Sequence, residues 1–131
     1  MKTKSNMTDN REIKKGVKEK TVVIPVLNDE YKVVVCWGSE KYVEKVLKDY
    51  HYTEHEPIDF ANNMGKLFAI SHSFPVIALK EEPNREDMIG TLAHEAFHAM
   101  DYIFHYIGEN SLDEVFAHSI GAIVRITLKS L

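Results

Sequence analysis

Apolar positions follow two rhythms along this chain. Residues 21–26 (TVVIPV) and 31–37 (YKVVVCW) are rich in β-branched and aromatic side chains and predict two strands. Asn28-Asp29-Glu30 between them is a turn signal, so the two strands are expected to form a hairpin. Pro25 cannot donate to a ladder, which suggests an edge strand or a strand end. Gly38 closes the second strand. Ser39 then offers an N-cap, and Tyr42, Val43, Val46 and Leu47 fall at helical spacing. Residues 50–65 are irregular, with Pro57 and Asn62-Asn63 as breakers. Residues 66–71 and 74–80 predict two further strands, and Pro75 points to an edge position for the latter. Asn84 is a candidate cap, with Glu86 and Asp87 in the first turn of a helix that runs to about Ile107 and stops at Gly108. A last helix is expected over about residues 112–128. Strands first and long helices afterwards predict an α+β fold, a small mixed or antiparallel sheet packed on two helices.

Composition narrows the class. Residues 1–20 are polar and basic, with Lys2, Lys4, Arg11, Lys14, Lys15, Lys18 and Lys20, and read as a tail or a loosely attached segment. Residues 21–131 form one domain of ordinary hydrophobic content. A net charge of −4 argues against nucleic acid as the main partner. No apolar run reaches the length of a membrane span, and no apolar segment of a signal peptide follows Met1. Cys36 is the single cysteine, which suits a reducing compartment; the expected address is cytoplasmic.

Candidate chemistry sits in residues 91–102, TLAHEAFHAMDY. His94-Glu95-Ala96-Phe97-His98 matches H-E-x-x-H. On a helix His94 and His98 lie about 40° apart, so both imidazoles can meet one ion. Glu95 points about 100° away, within reach of a water but not of the ion itself. Thr91, Asp101 and His105 fall within about 60° of His94. Leu92, Ala96, Phe97, Met100, Ile103, Phe104 and Ile107 occupy the arc between roughly 160° and 300°, an apolar back for burial.

Catalytic zinc takes three protein ligands and leaves a fourth position open. Glu114 is the first choice for the third. It follows His98 by sixteen residues, enough for one helix to end and the next to return. His118 lies one turn further on the same face and is the rival ligand. Gly121, also on that face, is expected to permit close approach of the two helices. Ser111 and Glu114 also form S-x-x-E, a capping box, which alone accounts for a glutamate there. Asp101 is a weaker ligand candidate and a better carboxylate for orienting a histidine. His118, Tyr102, Tyr106 and His72 are the candidate donors to an oxyanion. His51 and His55 read as loop residues.

HEAFH followed by DEVFAH resembles the gluzincin branch of the zincin metallopeptidases, and most of all their minimal single-domain bacterial and phage members. The motifs cover about residues 84–128. The resemblance implies a minimal zincin-like fold, one Zn²⁺ per chain held by His94, His98 and Glu114, Glu95 as general base, and a peptide or protein substrate. The metzincin pattern does not fit, because it needs Gly where Asp101 stands and His where Phe104 stands. In thermolysin-like enzymes an Asp one turn after the ligand Glu supports a histidine; here that position is His118. Other expectations compatible with the same residues are a non-catalytic binding or regulatory protein on this scaffold and a hydrolase of a non-peptide amide. An extended substrate is expected to pair with strand 74–80.

Overall fold

Val33 to Gly38 are buried without interruption, because the strand that carries them is covered on both faces. The computed structural model describes residues 19–27, 31–70, 73–81, 85–106 and 113–131, and within these the side chains of Arg85, Tyr106, Asp113 and Glu114 lie outside the description. The element order is β1 (Lys20–Val26), β2 (Tyr31–Gly38), α1 (Glu40–Asp49), β3 (Gly65–Phe68), β4 (Val76–Lys80), α2 (Arg85–Tyr106) and α3 (Asp113–Ser130). The expected turn at 28–30, the cap at Asn84, the stop at Gly108 and residues 1–18 of the tail expected over 1–20 lie outside the described residues; Lys20, placed in that tail, is the first residue of β1.

The sheet has the order β1-β2-β4-β3. β1 and β2 form the expected antiparallel hairpin, with Val22 opposite Val35 and Pro25 opposite Lys32. β1 is an edge, as Pro25 suggests. β4 runs parallel to β2 and antiparallel to β3, so the sheet is mixed. The edge position expected for strand 74–80 is therefore corrected: β4 is interior, and β3 is the edge. Pro75 precedes the first paired residue and is asked only to accept, its carbonyl taking the Val34 N–H at 2.9 Å. The strand expected over 66–71 is shorter and starts one residue earlier.

Alternation along β2 and β4 divides the interior into two cores. Val33, Val35, Trp37, Ile77 and Leu79 face α2 and α3, where they meet Leu92, Ala96, Met100, Ile103 and Ile123. Val34, Cys36, Val76 and Ala78 face α1 and the irregular segment after it, where they meet Val43, Leu47, Tyr52 and Phe60. Burying each large apolar side chain contributes about 1.5–3 kcal/mol, so the sheet is the partition on which both cores rest. Ser39 caps α1 as expected, its hydroxyl accepting the Tyr42 N–H at 3.1 Å.

α1 ends in a left-handed turn. Tyr52 N–H donates to Leu47 O at 2.8 Å and His51 N–H to Lys48 O at 3.0 Å, with His51 at φ 73°. This is the paired bonding of a Schellman cap, with the buried pair Leu47 and Tyr52 as its apolar contact. From there Tyr52 reaches across the sheet end. Its hydroxyl lies 3.0 Å from Phe68 O and 2.8 Å from Phe74 O, tying the end of β3 to the approach of β4. Burial pushes the Tyr52 phenol up to about 12, so it stays a donor.

Gly121 does not serve helix contact: it is exposed, and a Cβ added there meets nothing within 4 Å. The contact between α2 and α3 is made instead by Phe116, whose ring lies 5.3 Å from those of Phe97 and Phe104 in edge-to-face geometry. Phe97 departs from the expected apolar back, since it stays 49% exposed.

Candidate functional site

The polar stripe of α2 lines a cleft. Ala96, Ala99, Met100 and Ile103 fix the back of the helix against the sheet at 2% exposure or less, so the opposite face is held toward solvent. His94, Glu95, His98, Asp101, Tyr102 and His105 form one wall, and Asn63, Gly65, Lys66 and Leu67 the other. The cleft encloses about 540 Å³. Five of the expected site residues, His94, Glu95, His98, Asp101 and Tyr102, are thus brought together.

His94 and His98 converge through their Nε2 atoms, 3.2 Å apart, with ring planes 82° to each other. A tetrahedral ion with bonds of about 2.0–2.1 Å holds its donors about 3.3 Å apart. At 3.2 Å the two nitrogens stand at hydrogen-bonding distance from each other, and the same spacing and imidazole donor type fit two ligands of one zinc ion. Among the described residues, no group of three His, Cys, Asp or Glu side chains comes together in this way. Glu114 belongs to the first turn of α3, and its side chain lies outside the description. His118 is exposed on α3, on the same face as exposed Gly121 and Arg125, and does not line the cleft.

Asp101 stands beside His105, its Oδ1 3.6 Å from His105 Nδ1. His105 Nδ1 also lies 2.8 Å from Asp101 O, and because that carbonyl only accepts, Nδ1 carries the proton. His72 and the Tyr106 side chain, both candidate donors, lie outside the description. His55 is a loop residue as expected, bonded to Glu44 Oε1 at 3.1 Å and to Glu56 O at 2.7 Å.

The strand-side wall depends on Gly65. A Cβ added there meets Thr91 Cγ2 at 2.6 Å and Leu79 Cδ2 at 3.1 Å, so the start of β3 lies directly on α2, one turn before His94. Beside it, Lys66 Nζ is held by Glu56 Oε1 at 2.6 Å. The Lys66 ammonium, first by hydrogen bond and then by charge, draws the Glu56 carboxyl below the usual range. None of Asn63, Gly65, Lys66 or Leu67 is identified by the sequence pattern as part of the site. The signal present was Asn62-Asn63 and Gly65 immediately before a strand, but only the pairing of that strand with β4 carries it to α2.

Comparison with known protein families, with curated proteins and with solved structures finds no match to this chain. No helix among the described residues is long and apolar enough to cross a membrane.

Proposed function

We propose that this chain is a zinc-dependent metallopeptidase of the cytoplasm, zincin-like and nearest in its motifs to the gluzincins. The observation that carries the reading is the His94–His98 pair, with Nε2 atoms 3.2 Å apart on the wall of a cleft that Glu95 also lines. His94, His98 and Glu114 are the proposed ligands of one ion per chain, with His118 as the rival third. When bound, zinc supplies Lewis acidity to an attacking water and to the substrate carbonyl. Glu95 takes the proton of that water and returns it to the leaving nitrogen. Tyr102, one turn past His98 on the same wall, offers its hydroxyl to the developing oxyanion. An extended substrate lies along β3, the edge strand whose Gly65, Lys66 and Leu67 line the cleft, and not along the interior strand β4.

Metal analysis of the wild type beside four variants tests this. One zinc per chain is expected in wild type and in Glu95→Gln, and none in His98→Ala. Peptide hydrolysis by Glu95→Gln is expected to fall roughly 10²–10⁴-fold. Zinc lost in Glu114→Ala and kept in His118→Ala supports the ligand set; the reverse replaces Glu114 by His118. Wild type without metal ends the reading.

A further inference from the structure

Past the histidine pair the cleft wall changes its chemistry. Asp101 and His105 lie about 4.5 and 10 Å beyond His98 along α2, and both line the same cleft. His105 Nδ1 donates to the Asp101 carbonyl at 2.8 Å and stands 3.6 Å from Asp101 Oδ1, beyond hydrogen-bond length. The Asp101 carboxylate therefore has no hydrogen-bond donor among the described residues, His94 and His98 included. With Nδ1 protonated, the neutral His105 ring offers only an acceptor at Nε2. Asp101 and His105 thus present acceptors alone, one of them charged, and both side chains are open to the cleft at 47% and 80% exposure. Lys66, on the opposite wall, does not answer this charge. Its ammonium is held by Glu56 at 2.6 Å and lies 5.8 Å from the ring centre of Phe68, a residue of the core on the other face of the sheet.

We propose that Asp101 and His105 form a subsite for a cationic group of the substrate, a lysine or arginine side chain or a free α-amino group. At about 3.3 Å per extended residue, that group belongs one to three residues from the bond at the metal. This rests on the metallopeptidase reading and adds a specificity to it. An ammonium or guanidinium supplies the donors that Asp101 lacks, and bonds between ionised partners are about twice as strong as neutral ones.

Peptide hydroxamates test the subsite on the zinc-loaded full chain, because the hydroxamate anchors at the metal and no cleavage is needed. One series continues on the N-terminal side of the hydroxamate and one on the C-terminal side. In each, lysine, norleucine or glutamate stands in turn at the first three residues, with the amino terminus acetylated; norleucine peptides with a free amino terminus form a further arm. Titration calorimetry is expected to show one lysine compound binding about ten-fold tighter than its norleucine counterpart, with glutamate weakest. That ratio is expected to fall to near one in Asp101→Asn and to turn in favour of glutamate in Asp101→Lys. A gain found only with the free amino terminus, and lost in Asp101→Asn, supports the subsite with the α-amino group as its occupant. Equal binding of all compounds by the wild type overturns the proposal, as does a lysine preference that survives Asp101→Asn, or failure of every hydroxamate to bind a chain that holds zinc. A chain that takes up no zinc overturns the metallopeptidase reading and this one with it; metal analysis of the same sample distinguishes the two failures.

Discussion

Tyr52 joins three parts of the molecule through one side chain: the cap of α1, the end of β3 and the approach to β4. Removing its hydroxyl leaves the Phe68 and Phe74 carbonyls short of a donor at a buried position. Tyr52→Phe is expected to lower stability by about 1–3 kcal/mol in urea unfolding; an unchanged midpoint would show that the bond contributes nothing net. The neighbouring His51 holds φ 73°, where a side chain costs energy and glycine does not. His51→Gly is expected to stabilise the fold by roughly 0.5–1 kcal/mol in urea unfolding, with the relief of folded-state strain partly offset by a freer unfolded chain. Position 51 is legible in the sequence as a loop residue but not as a helix cap, because the usual marker, a glycine, is missing there. His94, Glu95 and His98 are legible because their spacing needs only one helix, and a helix is a local structure.

At the scale of elements, what the sequence hides is what pairs at a distance. Pro75 reads as the mark of an edge strand, yet β4 is interior, because the proline lies just outside the ladder and only its carbonyl is used. The true edge, β3, carries no such mark. Its contact with α2 depends on Gly65, and here a single methyl is a sensitive probe. Gly65→Ala forces β3 away from Thr91 or crowds Leu79, and is expected to cost about 1–3 kcal/mol as overpacking does. Thermal or urea unfolding measures the loss. An equally stable variant would mean that the strand yields without resistance. The α2–α3 contact was likewise unreadable: Gly121 suggests close approach by its lack of a side chain, whereas the two helices meet through the rings of Phe97, Phe104 and Phe116.

Across the whole molecule, the α+β architecture and the amphipathic logic of α2 follow from hydrophobic periodicity. The strand order does not, since α1 and the irregular segment after it separate β2 from its parallel neighbour β4. That segment is tied down by an ion pair as well as by packing. Glu56 is held by Lys66 with its carboxyl lowered from the ordinary value. A group whose folded-state value is depressed adds stability above its unfolded value, and that contribution is lost as pH falls through the folded value. Wild type is therefore expected to lose slightly more stability than Glu56→Gln on acidification through the carboxylate range. Parallel curves for the two proteins, measured by urea midpoint against pH, would show that the pair has no net effect. The proposed third metal ligand belongs to this scale too, because it requires α3 to return beside α2, and no local pattern reports the distance between them.

The sheet that divides the two cores also sets an order of exposure as the chain is made. Every strand among the described residues lies before Glu81, and so does α1, which covers one face. The other face, with Val33, Val35, Trp37, Ile77 and Leu79, waits for α2. A chain that ended before α2 would leave that apolar face uncovered, and exposed apolar surface of this kind favours association. The helix that carries His94 and His98 is the first element that can end that exposure. The apolar back that ends that exposure and the polar stripe that lines the cleft thus lie on opposite faces of the same twenty-two residues.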